Sequence, residues 1–246
     1  MNAIRQITEG KQTVLYPAQA ENMPLMIFNH FSTDTDSVVE AFRNMKSRDY
    51  LNHQDSLKHP DMSYQPDGSD INLLFVCGLD WEHDMTPWES PPIRKGEKPF
   101  SGGADGYLEI LLTKIMPKAG EMMNGVPAYT AIAGYSLAGL FAIYSMFNCD
   151  AFDRAASISG SMWFPGFTEY VLSHEVKKNP DRIYMSLGDK ECKTRDPRLK
   201  TVQDKTRAMV RHFKNKGIPV TWELNPGNHF TDPAGRCARG IISLTR

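Results

Sequence analysis

The chain has 246 residues, 41% of them hydrophobic, which is enough to bury one large core, and we expect a single domain over residues 1–246. Lysine and arginine number 28 and aspartate and glutamate 29, so the formal charge of -1 provides no field that would attract nucleic acid or an anionic membrane. Residues 1–12 contain no apolar stretch like that of a secretion signal, and the four cysteines lie far apart, so we expect a cytoplasmic protein without a metal site.

The first half of the chain contains two apolar segments with the composition of buried parallel strands. They cover residues 24–28 and 72–77, and each is followed by turn-forming or polar residues. Helical periodicity predicts helices over residues 34–45 and 106–116, with Pro117 ending the second helix. Strands alternating with helices in this way are typical of an α/β protein.

Two stretches of the first half do not fit this alternation. Residues 52–70 are polar and rich in turn formers, and residues 78–103 form a long segment that contains Trp81 and Trp88. The second segment leaves the carboxyl end of a central strand, where open α/β sheets bind their ligands. We therefore expect Trp81 and Trp88 to line a substrate pocket. The alternative is that the segment packs its own aromatic side chains onto the sheet.

Residues 129–144 place one serine, Ser136, between a short apolar segment and a run that is apolar on every helical face. A strand, a sharp turn and a buried helix in this order form a nucleophile elbow. The turn requires small residues two positions from the serine, and Gly134 and Ala138 are small. Ser136 is therefore the candidate nucleophile, the alternative being a serine that merely ends a strand.

The second half of the chain continues the same alternation. Apolar segments predict strands over residues 154–158, 182–187 and 220–224, and an amphipathic pattern predicts a helix over residues 198–216, with Gly217 suited to end it. Strands and helices at this pace predict an α/β fold with a mostly parallel, doubly wound sheet and helices on both faces.

A serine hydroxyl needs a neighbouring base, and three histidines follow Ser136 in the chain. In the nucleophile-elbow arrangement the chain order is serine, acid, histidine. His212 lies within a predicted helix and His174 near the end of another, which are typical surface positions. His229 follows a strand on a Pro-Gly turn that can direct its ring towards the sheet edge, so we predict that His229 is the base.

The acid is expected just after the strand over residues 182–187, where two carboxylates compete. Glu191 lies further beyond the strand end and has the longer side chain with which to reach His229. Asp189 can instead hold the turn by bonding backbone amides. We favour Glu191 and keep Asp189 as the alternative. The cationic side chains nearby form a solvated face or, alternatively, meet an anionic group of the substrate: Lys190, Lys193, Arg195 and Arg198.

Acyl transfer also requires hydrogen-bond donors for the developing oxyanion, each worth about 3–4 kcal/mol in measured cases. The backbone amide of Leu137, directly after Ser136, is the first candidate. The second donor normally comes from the loop after an earlier strand. In that loop we choose the amide of Phe31 and give His30 a structural role.

The sequence resembles the putative-esterase family of α/β-hydrolases, which includes enterochelin esterases and mycolyltransferases. The segments that carry the resemblance are residues 134–142, 157–164, 186–191 and 227–230. They cover the second half of the chain well. The resemblance implies an α/β-hydrolase fold and an acid three residues after a glycine like Gly188, which supports Glu191. It also implies that Trp163 lies beside the substrate.

Together these features predict a serine hydrolase that cleaves a small-molecule ester or thioester by way of an acyl-enzyme on Ser136, and no cofactor is expected. An acyltransferase that uses the same residues is the first alternative. A ligand-binding protein without catalytic activity is the second, because a fold alone does not establish a reaction.

Overall fold

The computed structural model describes residues 3–54 and 71–246. Its strands are β1 (Ile4–Thr8), β2 (Lys11–Tyr16), β3 (Leu25–Asn29), β4 (Asn72–Cys77), β5 (Glu89–Ser90), β6 (Phe100–Ser101), β7 (Thr130–Tyr135), β8 (Arg154–Ile158), β9 (Arg182–Gly188) and β10 (Val220–Asn225). Its α-helices are α1 (Asp36–Gln54), α2 (Trp81–Asp84), α3 (Ala104–Ile110), α4 (Met116–Gly120), α5 (Leu137–Asn148), α6 (Phe167–Ser173), α7 (Val202–Asn215) and α8 (Pro233–Thr245). A π-helical turn, Leu111–Ile115, joins α3 to α4, and a 3₁₀ turn, Leu199–Thr201, precedes α7.

Eight of the strands form one sheet in the order β1-β2-β4-β3-β7-β8-β9-β10. The six strands from β4 to β10 in this order run parallel, whereas β1 and β2 form an antiparallel hairpin at one edge. Parallel strands bring their carboxyl ends to the same edge of a sheet. The loops that follow β3, β7, β8, β9 and β10 therefore meet there.

Both faces of the sheet are covered by helices. Along β3, Ile27 packs into a core with α3, α5, α6 and α7, while its neighbours Met26 and Phe28 pack into a second core with α1 and α8. The alternation follows from the pleat of a strand, which points successive side chains to opposite faces. Helix α5 is buried from Leu137 to Phe147, which explains why this helix is apolar on every face.

The predicted fold class is confirmed: the sheet is mostly parallel and doubly wound. Strands β4 and β8 have the predicted bounds, β9 and β10 end one residue later than predicted, and β3 is shifted by one residue at both ends. The predicted polar stretch over residues 52–70 falls mainly outside the described residues, and its first three residues belong to α1.

The prediction that Pro117 ends a helix is wrong, because the helical segment continues through α4 to Gly120. Proline lacks the N–H that an α-helix would bond to the carbonyl four residues earlier. Here a π-helical turn precedes it, and Pro117 occupies the first turn of α4, where no intrahelical N–H bond is required.

The elements that were not predicted include the β1–β2 hairpin and the C-terminal helix α8. Strand β1 buries none of its side chains fully, so it lacks the apolar run of the central strands. In helix α8, glycines and arginines lie between the apolar residues, and one of the two arginines, Arg236, is buried. Among the described residues no helix is long and apolar enough to cross a membrane.

Candidate active site

Ser136 lies at the sharp turn between β7 and α5. Its backbone angles are φ 60° and ψ -122°, and such a conformation costs a non-glycine residue on the order of 1–3 kcal/mol. The amide of Ser136 donates to the carbonyl of Ile158 at 3.1 Å, and its carbonyl accepts from the amide of Ser161 at 3.0 Å. Gly134 is required because a Cβ at that position would lie 2.5 Å from Ala138. The predicted strand, turn and helix around Ser136 are confirmed.

His229 lies in the loop between β10 and α8, with its Nε2 atom 3.1 Å from Ser136 Oγ. The Tyr135 hydroxyl donates a hydrogen bond of 2.5 Å to the His229 carbonyl. The residue next to Ser136 therefore holds the loop that carries His229. The other two candidates, His174 beside α6 and His212 within α7, contact their own helices instead.

Glu191 follows β9 and contacts His229 on the side of the ring that faces away from Ser136. Its Oε2 atom lies 2.8 Å from His229 Nδ1, and its side chain is 4% exposed. The other oxygen, Oε1, accepts from the amide of Gly188 at 2.6 Å and from a guanidinium at 3.0 Å. Asp189 does not contact His229; its carboxylate accepts at 2.8 Å from a backbone amide of the loop after β10.

The surroundings of Glu191 keep its carboxylate ionised. Burial raises the pKa of Glu191, but the hydrogen bond and the charge of His229, the amide of Gly188 and the hydroxyl of Ser159 outweigh this effect, so the pKa lies below its ordinary value of 4.5. An ionised carboxylate at this position can fix the tautomer of the imidazole and stabilise its protonated form.

The guanidinium that contacts Glu191 belongs to Arg236 in the first turn of α8, and this side chain is 0% exposed. Its Nη1 atom lies 3.0 Å from both Glu191 Oε1 and Ser159 Oγ, and Nη2 donates to a backbone carbonyl at 2.9 Å. A Cβ at Gly188 would lie 2.8 Å from this guanidinium, so only glycine fits beside it. Sequence reasoning missed Arg236 because α8 was not predicted.

Three clefts meet at Ser136. The Phe31 cleft has a volume of about 440 Å³ and mainly apolar walls. It lies between two exposed aromatic side chains, Phe31 (75% exposed) and Phe230 (84% exposed). His229 lines this cleft together with Ser136.

The other two clefts lie on the side of the segment 78–103. The Leu199 cleft, about 380 Å³, runs between Ile93 on one wall and Leu199 on the other. The Leu137 cleft, about 460 Å³, is lined by Leu137 and Trp81. Trp163 lines both clefts.

Comparison with known families shows the family to which the chain belongs. A model of the family described as putative esterase matches residues 76–232, which include Ser136, Glu191 and His229. The chain belongs to the putative esterase family. The resemblance seen in the sequence is therefore confirmed.

Relatives of this esterase-family chain include the protein YbbA of Bacillus subtilis, which is 25% identical over 151 residues. That match spans 59% of this chain and 60% of the length of YbbA.

Solved structures share the fold over nearly the whole chain. An IroE-like serine hydrolase from Shewanella oneidensis has a TM-score of 0.74 at 15% identity, covering 99% of this chain and 79% of its own. The enterochelin esterase of Shigella flexneri has a TM-score of 0.67 at 17% identity, covering 100% and 59%. The siderophore hydrolase EstB of Aspergillus nidulans has a TM-score of 0.61 at 16% identity, covering 98% and 94%. These likenesses confirm the α/β-hydrolase fold.

The residues that carry the two predicted oxyanion donors of this family member each line a cleft together with Ser136, Phe31 the Phe31 cleft and Leu137 the Leu137 cleft. Leu137 is the first residue of α5, so its amide has no partner within the helix. Phe31 lies in the loop after β3, and its ring contacts that of Trp81 edge-on at a centroid distance of 5.2 Å. One polar group was not predicted: Ser161 Oγ lies 3.3 Å from Ser136 Oγ.

The three tryptophans that we predicted to contact substrate differ in their positions relative to the clefts. Trp81 lines the Phe31 and Leu137 clefts, and Trp163 lines the Leu199 and Leu137 clefts. Trp88 lines none of these three clefts, which is the arrangement expected of the alternative, a segment that packs its aromatic side chains onto the body of the protein. Its indole N–H donates to the Pro165 carbonyl at 2.9 Å, and its ring packs against aromatic side chains of the core, among them Phe164, Phe167 and Tyr170.

Two polar side chains near Trp81, those of Asp84 and His83, contact other strands of the protein. Asp84 is buried and forms an ion pair with Lys11 of β2, which anchors α2 to the sheet. His83 Nδ1 lies 2.8 Å from Ser101 Oγ. Within the part of the chain that the structure describes, no three His, Cys, Asp or Glu side chains are grouped as metal ligands would be.

Proposed function

We propose that this member of the esterase family is a serine hydrolase, which cleaves a small-molecule ester or thioester by way of an acyl-enzyme on Ser136. One observation carries the proposal: Ser136 Oγ, His229 and Glu191 are linked in series, at 3.1 and 2.8 Å. A hydroxyl, an imidazole and a buried carboxylate in this order supply the nucleophile, the base and the acid that orients the base.

In the first half of the reaction, Ser136 Oγ attacks the carbonyl carbon while its proton passes to His229 Nε2. The amides of Leu137 and Phe31 stabilise the negative charge on the carbonyl oxygen. Protonated His229 then gives its proton to the leaving oxygen or sulfur, and the acyl group remains on Ser136. In the second half, water loses a proton to His229 and attacks the acyl carbonyl, and the proton returns to Ser136 as the carboxylic acid leaves.

Glu191 remains an anion in both halves of this reaction and stabilises the positive charge that forms on His229. Arg236 holds Oε1 of Glu191, so that Oε2 faces His229 Nδ1. An arginine suits this role because its guanidinium does not deprotonate in proteins. The carboxylate thus keeps both its charge and its direction.

The clefts and the relatives support the proposed substrate class. Structural relatives include proteins named as a siderophore hydrolase, an enterochelin esterase and a ferulic acid esterase. Two of these names are those of esterases, which supports the proposal that this chain acts on an ester or thioester of a small molecule. Clefts of about 380 to 460 Å³ have the size of sites for small molecules. Trp81 and Trp163 are the proposed aromatic contacts.

Covalent labelling with a small fluorophosphonate, followed by peptide mapping, tests the proposal. We expect one label per chain, on Ser136, and no label in Ser136→Ala. Ser161→Ala is the matched control, because its hydroxyl lies 3.3 Å from that of Ser136, and it should still be labelled. A label on another residue would contradict the assignment. A folded protein that takes no label would favour a ligand-binding protein without catalytic activity.

A further inference from the structure

Arg198 joins the two walls of the Leu199 cleft. It precedes the 3₁₀ turn on one wall, and its guanidinium donates to two backbone carbonyls of the opposite wall. Nη1 lies 3.0 Å from the Pro91 carbonyl and Nη2 lies 2.5 Å from the Pro92 carbonyl. We call this pair of contacts the Arg198 bridge. Ile93, which directly follows the bridged prolines, lines the cleft.

Both ends of the Arg198 bridge are held in fixed positions. On one side, Asp196 Oδ1 accepts from the amides of Arg198 at 2.8 Å and Leu199 at 3.0 Å, which fixes the backbone where the arginine begins. On the other side, Pro91 and Pro92 have restricted φ angles and no N–H, so their carbonyls are their only polar backbone groups. The planar guanidinium can bind two such carbonyls at once, which a lysine ammonium does less well.

The bridged segment is also attached at its two ends, where β5 pairs with β6, and through Ile93, which packs against the core. Residues 94–99 are all exposed. Arg94 and Glu97 bond each other within the segment, and Lys98 forms an exposed ion pair with Asp80, a kind of contact that contributes little in water. Ile93 is half-buried. Of these attachments, the Arg198 bridge is the one that joins the segment directly to the wall formed by Leu199.

We propose that Arg198 is a specificity-determining residue, which sets the width of the Leu199 cleft and hence the size of the substrate group that the cleft accepts. Arg198 acts through the segment 91–99 and is a positioning residue. This inference rests on the proposed function, because it concerns substrate at Ser136. It differs from the expectation that Arg198 lies on a solvated face or binds an anionic substrate group.

The first test measures the segment itself and needs no enzyme activity. Trypsin cleaves after arginine and lysine, and it should cleave faster after the exposed Arg94 and Lys95 when the segment unfolds locally more often. Loss of two hydrogen bonds in Arg198→Met should raise cleavage at these two sites about fivefold to tenfold, as mapped by mass spectrometry under native conditions. The cleavage rate of Arg198→Lys should lie between those of Arg198→Met and the parent. Arg195→Met makes the same charge change at an exposed neighbour and should match the parent.

The second test compares esters whose acyl or alcohol part increases in size. In Arg198→Met the ratio of kcat/KM for the bulkiest ester to that for the smallest should rise about fivefold, while fluorophosphonate labelling of Ser136 keeps the parental rate. Arg198→Lys should show a smaller rise and Arg195→Met none.

Each outcome decides a different part of this inference. Parental cleavage rates in Arg198→Met would show that the bridge does not hold the segment. Faster cleavage with an unchanged size ratio would show that the segment does not limit the substrate. A circular dichroism spectrum and Tm like those of the parent exclude misfolding, and Arg198→Lys repeats both tests if Arg198→Met unfolds. Failure of the parent to label at Ser136 would instead overturn the proposed function and leave the proteolysis result standing.

Discussion

The two sides of the candidate site are held in place by different means. Behind His229, the side chains of Glu191 and Arg236 are buried and bind each other. In front of Ser136, residues 94–99 are exposed, and the segment is tied across the cleft by Arg198. Removing one partner of a buried charge pair leaves the other charge buried without a partner and lowers stability strongly, whereas breaking an exposed contact lowers stability little. The wall that faces substrate can therefore change while the groups proposed to carry out the chemistry stay fixed.

The largest effect is expected at the reacting groups themselves. Ser136→Ala and His229→Ala should each lower kcat for an ester by at least about 10⁴-fold, and the double variant should be scarcely worse, because the residues act as a unit. Steady-state kinetics measures this. His174→Ala and His212→Ala are the controls, and a comparable loss in either of them, with His229→Ala active, would remove His229 from the mechanism.

The next effect concerns the acid. Glu191→Gln keeps an oxygen near His229 but removes the charge that stabilises the imidazolium, so kcat should fall by about 10²- to 10⁴-fold with little change in KM. Asp189→Asn should do less harm, because Asp189 bonds a backbone amide and not His229. A greater loss of kcat in Asp189→Asn, with folding intact, would reverse the roles of the two carboxylates.

Arg236→Met tests whether the buried side of the site depends on its charge pair. It leaves the carboxylate of Glu191 buried without its arginine, so the free energy of unfolding should fall by about 3–5 kcal/mol. Arg236→Lys, which keeps the charge, should lose less. Arg239→Met on the same helix is the control, since its ion pairs are part-exposed and its loss should cost less than about 1 kcal/mol. Urea unfolding measures these losses. Equal losses of unfolding free energy in Arg236→Met and Arg239→Met would contradict the contrast between buried and exposed contacts.

A smaller effect is expected on substrate preference, in which Trp163 and Trp88 should differ. Trp163→Ala removes a wall of two clefts and should change the relative kcat/KM of different esters by about 1–3 kcal/mol. Trp88→Ala removes a contact with the core, so it should lower the free energy of unfolding. It should lower kcat/KM for all esters in the same proportion. Kinetics on one ester panel compares the two variants. An altered substrate preference in Trp88→Ala alone would restore Trp88 as a pocket residue.

The smallest effect is the pH dependence of stability. The folded-state pKa of Glu191 lies below its ordinary value of 4.5, so its ionised form contributes stability above pH 4.5, and that contribution is lost as the pH falls through the folded-state pKa. The difference in unfolding free energy between the parent and Glu191→Gln should therefore narrow below pH 4.5. A difference that stays constant down to the acid transition would show that the charge of Glu191 does not stabilise the fold.

The sequence predicts the central sheet and Ser136 because both rest on local patterns. An apolar run bounded by turn formers defines a strand, and small residues on both sides of Ser136 define its turn. Arg236 is different, since its role arises only when α8 brings a residue near the end of the chain against the loop after β9. The position of Trp88 likewise depends on a distant carbonyl, that of Pro165. Such contacts between remote segments leave no periodic signal in a single sequence.

Direct capture of the acyl-enzyme tests the central claim most closely. A p-nitrophenyl ester is mixed with the protein, the reaction is stopped with acid within milliseconds to seconds, and the intact mass and peptide map are recorded together with the release of nitrophenol. We expect a mass increase of one acyl group per chain, located on Ser136, with a matching initial burst of nitrophenol. Steady turnover without any acylated chain, or with the acyl group on a residue other than Ser136, would contradict it.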